Sequence, residues 1–190
     1  MRAFWEHGFE ATSIAELTKA MGIGAPSLYA AFGDKKTLFR EVVAAYQRTY
    51  GAFAMRALAE EPTARQGVAR LLREAATEYT DSRHPRGCLV ISAATNCSPD
   101  SIDVEDFLRR LRNANVRELE RRIRADIKAG ELPSDTDPKA LATYTAAVLQ
   151  GMSQQARDGA TRAQLEAVAE AAMRAWPQPP RTRPTAEATT

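Results

Sequence analysis

Between Thr12 and Phe32 the sequence has room for two short helices and little between them except a turn that carries glycine. Thr12 and Ser13 supply hydroxyls suited to an N-cap, and Glu16 stands three residues after Ser13, the spacing of a capping box. Ile14, Leu17 and Met21 then fall on one helical face. Gly22 follows where that helix must stop, because glycine takes the left-handed backbone at little cost, and Ile23 is placed to tuck between the two helices. A second helix is predicted over Ala25 to Phe32. Pro26 is tolerated in its first turn, where the missing amide has no partner to lose, and Leu28 and Phe32, four apart, point inward. Asp34 caps a third helix whose Leu38, Phe39, Val42, Val43 and Tyr46 form a broad apolar stripe. Two compact helices at a steep angle, braced from behind by a third, form the arrangement that pushes the second helix into a major groove.

The remainder of the chain reads as helical too. Apolar spacing of helical period runs from about Gly51 to Trp176, with breaks at Glu61-Pro62, His84 to Gly87, Ser98-Pro99, Gly130 to Pro133, Pro138 and Asp158-Gly159, and no stretch sustains a β alternation. The fold class is therefore all-α, with a three-helix helix-turn-helix unit over residues 1–46 and a larger helical unit over 47–176. Residues 177–190, with four prolines and no large apolar side chain after Trp176, read as a disordered tail. Asp137-Pro138 fits an N-cap followed by proline at N1, and Gly130 fits a helix stop. The Arg-rich stretch Val104 to Lys128 keeps Leu108, Leu111, Leu119, Ile123 and Ile127 at helical intervals, so it reads as an amphipathic helix with a solvated face.

Charge leaves the DNA-binding case to local features. The net charge is only +2, and residues 1–50 carry six cations against five anions, a balance of +1. An interface of that composition implies modest affinity that falls steeply with salt. With two cysteines and two histidines in 190 residues, a disulfide framework and a four-thiolate zinc site are excluded. Neither His7 nor His84 sits in a motif with a nucleophile or metal-ligand spacing, so no enzyme, cofactor or metal is expected. No apolar run is long enough for a membrane span and the N-terminus lacks signal-peptide character, so a cytoplasmic protein is expected. On one helix, Cys88 and Cys97 would point to opposite sides and could not bridge. They read as small buried hydrophobes, with a redox-sensing thiol as the alternative.

The segment from Phe9 to Tyr46, through Thr12-Ser13-Ile14, Met21-Gly22-Ile23, Ser27-Leu28-Tyr29 and Phe32-Gly33-Asp34-Lys35, resembles the DNA-binding domain of the TetR family. Gly87-Cys88-Leu89-Val90 and Asn96-Cys97 resemble one subgroup of it. The resemblance implies a homodimer binding a double-stranded DNA operator, with residues 47–176 serving ligand binding and dimerisation and an unidentified small-molecule effector as the signal. It implies phosphate contacts from Thr12, Tyr29 and Lys35, a hydroxyl, a phenolic donor and a point charge suited to that task. Read as residues alone, Tyr29 could instead be a half-buried packing residue and Lys35 an ordinary solvated lysine.

Ser27 shares the exposed face. Ala25, Ala30 and Ala31 replace side chains that could pair bidentately with base edges, so sequence reading is expected to lean on alanine contacts with thymine methyls, on Ser27 and on duplex shape. About half of the family's first helix is missing before Gly8; either the start lies upstream, or the unit is less firmly packed and lacks N-terminal phosphate contacts.

Tyr144, Val148 and Met152, with Leu165, Val168 and Ala172, are expected to form a four-helix dimer interface; the alternative is that these helices cover their own core. The function implied is a ligand-responsive repressor binding a pseudo-palindromic operator. The alternative is a ligand-binding or protein-interaction dimer with an impaired DNA-binding module.

Overall fold

In the computed structural model, which describes residues 1–178, local signals at the N-terminus set the helix boundaries directly. Helix α1 (Arg2–Ala11) is interrupted at Gly8, whose φ of 79° turns the chain. Helix α2 (Ile14–Met21) starts at Ser13, whose hydroxyl accepts from the Glu16 amide at 3.1 Å. It stops at Gly22, where φ is 66° and the glycine amide returns to the Lys19 carbonyl. Helix α3 (Ala25–Phe32) carries proline in its first turn, and α4 (Lys35–Arg48) is capped by Asp34, whose carboxylate accepts from the Thr37 amide at 2.6 Å.

Beyond these lie α5 (Ala52–Glu60), α6 (Ala64–Glu78), the single turn α7 (Leu89–Ser92), α8 (Ile102–Ala129), α9 (Pro138–Arg157) and α10 (Arg162–Arg174). A 3-10 turn spans Pro99–Ser101, and no strand occurs among the described residues. The stops and caps expected at Gly130 and Asp137-Pro138 are present: Gly130 has φ 79°, and the Asp137 carboxylate accepts from the Lys139 and Ala140 amides at 3.0 Å each. Thr161 and Gln164 close a reciprocal capping box on α10. The tail expected over 177–190 lies, from residue 179 onward, outside the described residues.

The second region is not helical throughout. Between α6 and α8 the chain runs through turns, with only α7 and the 3-10 turn as regular structure. Cys88 stands just before α7 and Cys97 after it, so the two never share a helix, and both are free thiols.

Two buried clusters organise the molecule. One lies among α5, α6, α8, α9 and α10, around Leu72, Tyr79, Ile123, Met152, Leu165 and Trp176. The other joins α1 to α4 with α7 and the start of α8. Phe4 and Phe9 both set their edges against Phe39, with ring centroids 5.1 Å apart in each pair. Against these rings pack Leu89, Val90, Val104 and Leu108. The N-terminal helices thus complete their core with residues from beyond position 85, and burying several full-size apolar side chains there contributes roughly 1.5–3 kcal/mol each.

Polar ties reinforce the contact. The Phe9 amide donates to the Ala93 carbonyl at 2.6 Å, and Arg157 on α9 donates to the Trp5 and Glu6 carbonyls at 3.2 and 3.1 Å. On the outer face, Asp103 of α8 pairs with Lys36 at 2.6 Å and Arg40 at 3.2 Å, both on α4. His84, buried, stacks on Trp5 with centroids 4.6 Å apart, while His7 is exposed beside Glu16 at 3.3 Å.

Candidate nucleic-acid interface

Helix α3 turns one residue inward and the rest of its length outward. Leu28 is fully buried, whereas Pro26, Ser27, Tyr29, Ala30 and Ala31 are exposed and Ala25 is half-buried. Tyr29 is 47% exposed, which sets aside the packing alternative for its ring. Phe32 is half-buried, and Leu28 supplies the anchoring contact. Met21 and Ile23 are also exposed, so Ile23 does not tuck between the helices as expected; the turn at Gly22 carries it to the surface.

At the start of α4, Lys35 is half-buried. Its ammonium lies 4.4 Å from the centroid of the Phe9 ring and 3.4 Å from the Glu10 carbonyl oxygen, which it meets as a donor. Desolvation, opposed by the field of Glu10, lowers the affinity of Lys35 for its proton. Cation–π contact and a carbonyl acceptor fix the ammonium rather than neutralise it, so Lys35 is a positioned charge and not a freely moving surface lysine.

Thr12 requires a correction. It is fully buried, and its hydroxyl donates to the Gly8 carbonyl at 2.6 Å, so that side chain cannot reach a phosphate. The kink at Gly8 leaves a carbonyl without its helical partner, and Thr12 satisfies it. The exposed hydroxyl at this corner belongs to Ser13.

The six expected interface residues on α9 and α10 divide evenly. Tyr144 is 37% and Val168 39% exposed, with Val148 half-buried. Met152, Leu165 and Ala172 are buried in their own protomer's core, and for these three the interface expectation is corrected. Helices α9 and α10 pack against each other as well as outward, and these three side chains occupy the inner stripe. Around the outer three, the exposed residues Ala140, Thr143, Ala147 and Gly151 on α9, and Ala163, Ala167 and Ala171 on α10, are small, which permits close helix approach.

A cavity of about 130 Å³ opens among α4, α5, α6, α7, α8 and α9, with Tyr46 and Gly51 on its wall. Sequence reasoning assigned ligand binding to residues 47–176 but could not name the lining, since the side chains that line the cavity come from six separate helices. Among the described residues no group of three or more metal-ligating side chains converges, and no helix is long and apolar enough to cross a membrane.

A glycine-turned helix pair, an exposed second helix and a bracing third helix that reaches a cavity in a larger helical unit define a helix-turn-helix regulator. Residues 1–42 match the family described as bacterial regulatory proteins, tetR family, and residues 66–176 match the tetracyclin repressor-like C-terminal domain. The chain belongs to the TetR family. It is 35% identical over 179 residues to the HTH-type transcriptional repressor ComR of Escherichia coli K12, covering 94% of this chain and 85% of ComR. It is similar to a cysteine-substituted variant of the regulator CifR complexed with a 26-bp double-stranded operator, with 46% identity, a TM-score of 0.89, and coverage of 93% and 92% of the two chains. A TetR regulator from Rhodococcus sp. RHA1 follows at 36% identity and a TM-score of 0.64, with coverage of 92% and 93%. The family consists of regulators rather than enzymes.

Proposed function

We propose that this protein is a cytoplasmic transcriptional repressor that binds a pseudo-palindromic double-stranded operator as a homodimer and releases it when a small-molecule effector enters the cavity. The observation that carries this reading is the exposure of α3 along Ser27, Tyr29, Ala30 and Ala31, in a chain similar over nearly its whole length to CifR, whose structure holds operator DNA. The name of ComR supports repression rather than activation.

In this reading residues 1–46 serve DNA and residues 47–176 serve ligand and partner. Ala25, Ala30 and Ser27 meet base edges, with Tyr29 and Lys35 on phosphates. The outer stripe of Tyr144, Val148 and Val168 pairs with its symmetry mate, giving two recognition helices on one duplex. Tyr46 supports the switch: it stands near the end of α4 and on the cavity wall, so a ligand that displaces it acts on the helix bracing α3.

An electrophoretic shift of the promoter region next to the protein's own coding sequence, repeated at rising salt, tests the reading. A discrete, salt-sensitive complex that outcompetes random duplex is expected. Binding no tighter than to random duplex would leave the ligand-binding or interaction dimer as the better account.

A further inference from the structure

The wall of the cavity is apolar over most of its area, but its polar groups share a pattern. Neither aspartate nor glutamate lines it, and Arg112 of α8 is its one charged residue. The guanidinium of Arg112 is half-buried and makes no ion pair among the described residues. Among the described residues its one hydrogen bond runs from Nη1 to the Val90 carbonyl at 2.9 Å, leaving most of its donors without an acceptor there. The acidic residue whose field reaches it most, Glu105, lies seven positions back along the same helix, two turns away.

Tyr46, Tyr79 and Cys88 also line the space. The Tyr46 hydroxyl donates to the Cys88 thiol at 3.4 Å, and burial pushes both phenols well above their ordinary values and the thiol above its own, so all three stay neutral. Arg112 faces the cavity without a counter-ion among the described residues, and a guanidinium presents its donors in a fork that matches a carboxylate. The volume is close to that of the ~150 Å³ engineered apolar cavity that accepts benzene.

We propose that the effector is a small anionic molecule, a carboxylate on an apolar body about the size of one ring, and that Arg112 binds its charge while the apolar wall takes its body. This rests on the effector-responsive reading above. Arg112 also holds a second end of the switch, because its acceptor Val90 belongs to α7, and the next turn of chain presents the Ala93 carbonyl to the Phe9 amide of α1. A carboxylate that draws Arg112 from Val90 therefore loosens the turn on which the N-terminal helices rest.

Calorimetric titration of the full chain with phenylacetate and with its neutral isostere phenylacetamide tests the assignment, alongside R112Q and R112K. Phenylacetate is expected to bind the wild type at least tenfold tighter than the amide. R112Q should lose at least tenfold for phenylacetate while its affinity for the amide moves less than threefold, and R112K should recover part of the loss. Equal binding of acid and amide by the wild type, binding of neither, or unchanged phenylacetate affinity in R112Q would overturn it. Should R112Q fail to fold, the acid-to-amide ratio of the wild type decides alone. Operator affinity without any ligand, measured on the same protein, separates the two readings: operator binding without acid preference defeats the anion assignment only, and acid preference without operator binding defeats the repressor reading only.

Discussion

At Thr12 a single hydroxyl shows how a residue type can be read correctly and its direction missed. A threonine before a helix suits an N-cap or a phosphate contact equally, and the sequence does not reveal that Gly8 kinks α1 and exposes a carbonyl for that hydroxyl to satisfy. By contrast, Ser13, Gly22 and Asp34 were legible because caps and left-handed turns are decided within four residues of chain. Thr12→Val keeps the shape and removes the donor. It should lower unfolding stability by about 1–2 kcal/mol in denaturant titrations and leave the salt dependence of DNA binding unchanged. The two proposed phosphate contacts behave oppositely: Lys35→Ala should reduce the slope of log affinity against log salt by about 1, whereas Tyr29→Phe, which removes a neutral donor, should weaken binding with no change of slope. A Tyr29→Phe protein with a shallower slope, or a Lys35→Ala protein with the original one, would contradict these roles.

Helical periodicity identified nearly every long element but could not say which of two faces a side chain serves. On α9 and α10 the same spacing contains Met152, Leu165 and Ala172, which fill the protomer's core, and Tyr144 and Val168, which stay outside. An apolar stripe wider than one neighbour is ambiguous until the neighbours are known. The connection between α6 and α8 was read in part: breaks fall at His84 to Gly87 and Ser98-Pro99 as expected, but the stretch between them, helical in its spacing, forms only the single turn α7.

Helix α4 gains its hold on α8 through charges as well as through the apolar contact of Phe39 with Val104 and Leu108. Asp103 sits between Lys36 and Arg40, which keep its carboxyl below the usual aspartate range. A folded-state value below the unfolded one adds stability that is present above about pH 4 and lost as pH falls through the folded value. Asp103→Asn should therefore melt below the wild type at pH 7, with the gap closing under acid conditions. A gap that stays constant with pH would contradict the pairing.

Across the whole molecule, the proposed function requires two features to act together: a recognition helix on each of two protomers and an exposed stripe that pairs them. The surface was largely legible from sequence; the stripe was half legible, and the cavity lining not at all, because six helices meet there only in three dimensions. Placing glutamate at both Tyr144 and Val168 should yield a folded monomer in sedimentation, with operator affinity falling by about 10²-fold or more as the second module is lost. An intact dimer would move the interface elsewhere, and a monomer with full affinity would remove the need for one.

The most direct measurement is a hydroxyl-radical footprint of the full chain on a duplex selected from a random pool. Two protected half-sites on one face of the DNA, related by a dyad and spaced by whole helical turns, with protection lost in the Tyr29→Phe, Lys35→Ala double variant, are the expected result. Protection of a single half-site, or protection that survives the double variant, would contradict the claim that α3 is the surface this protein presents to DNA.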